Sequence, residues 1–190
     1  MMSAYMLKSK KSQFWYADFL IAVLILVLIS YLFISSINQL NKKQDKFQSI
    51  SSDSLLISST LMSEGYCADD DCENWRYLLG NIGFVENGKV IQDKLKALIL
   101  LTSTNDGYET SKILLGTKNN YIFYFEDSDD LNSKITISGE DNKKIYGKSG
   151  IDEVSQINTE SYVRTTRFVY LENPPLINTK KIVKLVVIVW

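Results

Sequence analysis

The chain contains no histidine. That absence excludes Ser–His and Cys–His nucleophile activation, His general-base chemistry, and His-ligated zinc or haem. Two cysteines are too few for a Cys₄ zinc or iron–sulfur site. Nor is there a surplus of one charge: 21 Lys+Arg against 22 Asp+Glu leave a formal charge of −1. A protein built around phosphate contacts carries a basic excess, so no nucleic-acid partner is expected. Ser-x-x-Lys, Gly-x-Ser-x-Gly and phosphate-cradling glycine loops are missing too, and neither an enzyme nor a cofactor is expected. The remaining composition is ordinary. The 190 residues amount to about one domain, and 45% hydrophobic with 23% charged residues exclude general disorder.

The apolar residues are concentrated at one end. From Phe19 to Ile37 the chain reads FLIAVLILVLISYLFISSI, without Gly or Pro. At about 1.5 Å rise per residue this helix spans roughly 28 Å, close to the ~30 Å hydrocarbon thickness. A buried core helix would show a polar face, and none exists between Phe19 and Ser30. A cleaved secretory signal would be shorter and followed by a small-residue site, whereas NQLNKKQDKFQ follows Ile37. The run predicts a single membrane-spanning helix. Lys8, Lys10 and Lys11 precede it, while Lys42, Lys43 and Lys46 follow with Asp45, so the positive-inside count leans weakly toward a cytoplasmic N-terminus. The polar C-terminal part is then expected outside the cell.

The junction before the span reads Lys10-Lys11-Ser12-Gln13-Phe14-Trp15-Tyr16-Ala17-Asp18. A basic pair, a small residue, Gln, an acid and then an apolar helix resembles the class III signal peptide of archaeal type IV pilin-like proteins. The resemblance implies cleavage by a prepilin peptidase between Ser12 and Gln13, which leaves the helix attached. Ser12 stands where Gly or Ala is commoner, and Asp18 becomes the sixth mature residue, where pilins place Glu fifth. Cleavage frees an α-amino group at Gln13, and an amine in an apolar setting is costly unless an anion meets it. Asp18 of the same or a neighbouring subunit is similar in placement to the pilin acid that does so, which sets the register between helices. A lone Asp at this depth could equally sit among lipid head groups.

Beyond Ile37, Leu40, Phe47, Ile50, Leu55, Ile57 and Leu61 recur at spacings compatible with an amphipathic helix. Ser51-Ser52-Asp53-Ser54 reads as an N-cap or a kink. One helix is predicted from about Phe14 into the forties, and a second piece from Asp53 to Glu64, with Gly65 as its stop. Cys67 and Cys72 are separated by four residues, and on an external domain they are expected to form a disulfide. The loop acids Asp69, Asp70, Asp71 and Glu73 lack the EF-hand spacing and glycine, so no metal is expected.

The rest of the chain supplies a head. Asn87-Gly88 signals a hairpin, Asp93 opens a helix through Leu95, Leu98 and Leu101, and another runs from Asn105-Asp106 to Leu114-Leu115-Gly116. Tyr121 to Phe125 reads as a strand. This order, with Cys72-Glu73-Asn74-Trp75 in place of a Pro-x-x-Trp turn, resembles the ectodomains of the same pilin-like proteins. Ile135-Thr136-Ile137-Ser138 and Lys143 to Tyr146 flank Gly139 to Asn142 as a hairpin. Tyr162 to Leu171 alternates as a half-exposed strand ended by Asn173-Pro174-Pro175, and Lys181 to Trp190 is apolar enough for a central one.

These readings predict an α+β fold: a long N-terminal hydrophobic helix, the pilin-like spine, and a C-terminal head of short helices and an antiparallel β-sheet. Residues 1–12 are the leader, 13–50 the helix that anchors or forms a filament core, and 51–190 the extracellular head. The expected function is a structural subunit of a type IV pilus-like filament. Its partners are the membrane, the prepilin peptidase, and copies of itself or other pilins. The alternative is a monomeric membrane-anchored ectodomain that binds a partner at the cell surface.

Overall fold

The computed structural model describes residues 6–66, 82–128, 134–137, 144–159, 161–171 and 181–190. The chain divides into two compact units, Met1–Lys46 and Phe47–Trp190. In the first, every described residue belongs to helix α1, which runs Met6–Leu61. The part of α1 from Phe47 onward belongs to the second unit, whose core it enters through Ile50, Ile57 and Leu61, all fully buried.

The helix is unbroken where a cap or kink was expected at Ser51–Ser54. The reason lies in where the polar side chains go. Ser52, Ser58 and Ser59 donate to carbonyls three residues back, at 2.9, 3.0 and 2.8 Å, within the helix's own backbone. Ser54 bonds Thr165 at 2.6 Å, and Asp53 accepts from Thr117 at 2.5 Å and Asn119 at 2.9 Å. Side chains with such partners do not compete for the N–H groups of the following turn, so the chain continues as helix.

The second unit is an α+β arrangement. Strands β1 (Val85–Glu86) and β2 (Lys89–Val90) form the hairpin expected at Asn87-Gly88. Both turn residues have positive φ, 50° and 80°, as a two-residue type I′ connection requires. Helices α2 (Gln92–Thr102) and α3 (Asn105–Leu114) follow. The Thr104 hydroxyl caps α3 by accepting from Gly107 N–H, and Gly116, at φ 70°, is its C′ residue. Next come β3 (Tyr121–Asp127), β4 (Lys134–Ile135), β5 (Tyr146–Gly147), a 3₁₀ turn (Val154–Gln156), β6 (Val163–Leu171) and β7 (Lys181–Val189).

The strands lie in the order β1-β2-β6-β7-β3-β4, with β5 also on β3. Strand β7 is central, as its aliphatic run from Leu185 to Val189 predicts, and pairs antiparallel with β3 on one side and β6 on the other. Two features depart from expectation. The sheet is not wholly antiparallel, because β2 meets β6 in parallel at Lys89 opposite Tyr170. Nor, among the described residues, do the flanks of Gly139–Asn142 pair with each other: Ile135 lies opposite Phe125, and Tyr146 opposite Phe123, both on β3. The buried aromatic edge of β3 offers more apolar contact than a short hairpin could. Tyr146 stacks at 5.6 Å on Phe123, and its hydroxyl accepts from Ile137 N–H.

Alternation along β3 and β7 builds two cores. Tyr121, Phe123, Phe125, Val183, Leu185 and Val187 face α1, α2 and α3. Ile122, Tyr124, Val186 and Ile188 face the opposite side, beneath Ile145 and Ile151. This two-sided burial is why both strands read as continuous apolar runs.

Candidate functional site

The most distinctive surface is α1 between Trp15 and Ile34, where every residue is exposed. Leu26 and Phe33 are each 65% exposed, and none of the helix's most apolar 18 residues is buried. Each such Leu, Ile, Val or Phe would gain about 1.5–3 kcal/mol on leaving water. Summed over the run, this reaches tens of kcal/mol, well beyond the ~5–15 kcal/mol stability of a whole domain. A helix of this length and composition can cross a membrane.

At its N-terminal end, Lys10, Lys11, Ser12 and Gln13 lie within the backbone of α1. Asp18 is exposed, one turn from the exposed Trp15 and Tyr16. Aromatics flanking an apolar run suit the polar boundary of a bilayer, and an acid there stays hydrated. Cys67 and Cys72 lie outside the described residues, as do Asp69–Asp71, Glu73 and Trp75.

The head contains polar clusters that were not foreseen from sequence. Arg164 reaches Glu126 with one guanidinium nitrogen, 2.9 and 2.7 Å from its two oxygens, and Glu126 is 6% exposed. Lys181 pairs with Asp127 at 2.5 Å. Beside the first pair, burial pushes the Tyr124 phenol up to about 12, the Arg164 charge opposing the shift. Beneath the sheet, the Tyr108 hydroxyl donates to Tyr121 C=O and accepts from Tyr121 N–H, and the Tyr121 hydroxyl meets Ser111 at 2.5 Å. Burial raises both phenols well above the ordinary tyrosine value. These partners are 10 to 54 residues apart, so no local spacing signalled them. A shallow cleft of about 450 Å³ lies between the Asn87-Gly88 turn and Phe168, Tyr170 and Ile182. Among the described residues no group of three or more His, Cys, Asp or Glu converges as metal ligands would.

No family model matches the chain, and neither does a curated protein or a solved structure.

Proposed function

We propose that the chain is a structural subunit of a type IV pilus-like extracellular filament, held in the membrane by α1 before it assembles. The observation that carries this reading is a helix whose apolar stretch from Trp15 to Ile34 is exposed at every residue and which continues in sequence into a folded α+β head. In this reading Lys10, Lys11, Ser12 and Gln13 form the site at which a prepilin peptidase cuts. The new Gln13 amine then pairs with Asp18 in the same or an adjacent subunit, while the head faces outward. Cys67 and Cys72 are bridged there.

N-terminal mass spectrometry of protein from its native membrane tests the first step. The expected mature start is Gln13. A Met1 or Met2 start on all molecules overturns processing and favours a plain signal anchor carrying a monomeric ectodomain. Asp18→Asn tests the second step. It removes one partner of a buried pair, a loss of about 3–5 kcal/mol per subunit. Filament yield, counted by electron microscopy, should collapse while insertion persists, and Asp18→Glu should keep part of it. Normal assembly of Asp18→Asn removes the pairing role.

A further inference from the structure

Among the described residues, strand β6 has a partner along its whole length on only one side. Val163–Leu171 pairs throughout with β7, whereas on the other side, among the described residues, only Tyr170 meets a strand. The Tyr170 N–H donates outward to the Gly88 carbonyl at 2.8 Å. In an antiparallel ladder each residue points both its N–H and its C=O to the same side, alternating along the strand. The even-numbered residues Arg164, Thr166 and Phe168 therefore aim their backbone groups outward from the sheet. Such an edge is a template for strand addition.

We infer that this edge pairs with the same edge of a second copy, antiparallel about Thr165, to join two heads through one continuous sheet. In that register Thr165 faces its own copy, Arg164 faces Thr166, Val163 faces Arg167, and Tyr162 faces Phe168. The pattern is self-complementary, as an isologous two-fold interface demands. Phe168 and Tyr162, the residue just before β6, are 64% and 51% exposed and lie equally far from Thr165 in sequence, so continuing the strand by one residue puts both on one face. Each therefore covers the other copy's aromatic ring in a cross-strand pair. No two arginines come directly opposite. Arg164 is already neutralised by Glu126 at 2.7 Å, and Arg167 lies on the other face, opposite Val163. The outward groups of Arg164 and Thr166 also meet as a hydrogen-bonded pair, so the parity of the ladder is satisfied.

The pairing does not depend on filament assembly, and a chain starting at Met1 could form it equally well. Full-length protein in detergent, with Cys67→Ser and Cys72→Ser, supplies the test. Opposed residues at the two-fold have Cα atoms within disulfide reach, about 4.4–6.8 Å. Mild oxidation of Thr165→Cys should give a reducible dimer, whereas Arg167→Cys, several residues out of register, should not. Thr166→Pro deletes an outward N–H and leaves the ladder to β7 intact, so light scattering should show loss of the dimer. This variant is also measured with both native cysteines, and it decides the matter if the serine background does not fold. Absence of a bridged Thr165→Cys dimer, equal bridging at Arg167→Cys, or a dimer unchanged by Thr166→Pro overturns the inference.

Discussion

At the scale of single residues, the head is held by side chains that tie distant segments. Asp53 on α1 fixes the turn after α3 through Thr117 and Asn119. Asp53→Ala leaves both donors without that acceptor, so denaturant unfolding should report a loss of about 1–3 kcal/mol. Gly83 works by having no side chain: a Cβ there would sit 2.3 Å from the Ser63 carbonyl oxygen, backbone that cannot swing aside. The buried phenols make a pH prediction. Tyr108, Tyr121 and Tyr124 keep their protons in the fold to higher pH than in the unfolded chain, where they titrate near about 10. The native state then binds more protons than the unfolded one above that pH, so stability falls as pH rises. It is fully present below about pH 9–10 and lost on the way up through the folded pKa values, about 12 for Tyr124. Tyr121→Phe should flatten this alkaline limb, as read from unfolding midpoints between pH 9 and about 12.

At the scale of elements, legibility followed the range of the interactions involved. The Asn87-Gly88 turn, the Gly116 stop of α3 and the apolar β7 are written in a few adjacent residues, and each stands where the sequence puts it. Ser51–Ser54 misleads because its local signal is overridden by Thr165, Thr117 and Asn119, all more than sixty residues away. The β4 and β5 segments mislead similarly, since the choice between a hairpin and the edge of β3 depends on what β3 buries. Of the candidate site, the apolar helix was plain from composition, whereas the Arg164–Glu126 pair was invisible because β7 separates its two strands. The α1 segment in the head has a directional test. Ile57 is 0% exposed and Leu55 is 52% exposed. Ile57→Ala should cost about 2–5 kcal/mol by opening a cavity. Leu55→Ala, on the open face, should stay within about 0.5 kcal/mol. Equal effects in thermal or chemical unfolding would contradict this facing of the helix.

At the scale of the whole molecule, the first unit offers an apolar surface and the second a folded core, and each can be perturbed separately. Leu28→Arg places a charge at the middle of the apolar run, at a cost of about 2.5–3.5 kcal/mol for insertion. Alkaline extraction should release more of this variant from membranes while the head's near-ultraviolet circular dichroism stays unchanged. A further consequence comes from the place of β7 in the sheet. The strand that β3 and β6 both require is the last element in chain order. At about 5–20 residues per second, roughly 3–11 seconds of synthesis separate the end of β3 from the start of β7. Through that interval β3, joined near its end by β6, stands as an unsatisfied edge, open to mispairing with neighbouring chains. A stop codon before Lys181 would thus remove the keystone of the sheet rather than trim its margin, and leave an anchor bearing an unfolded, aggregation-prone tail.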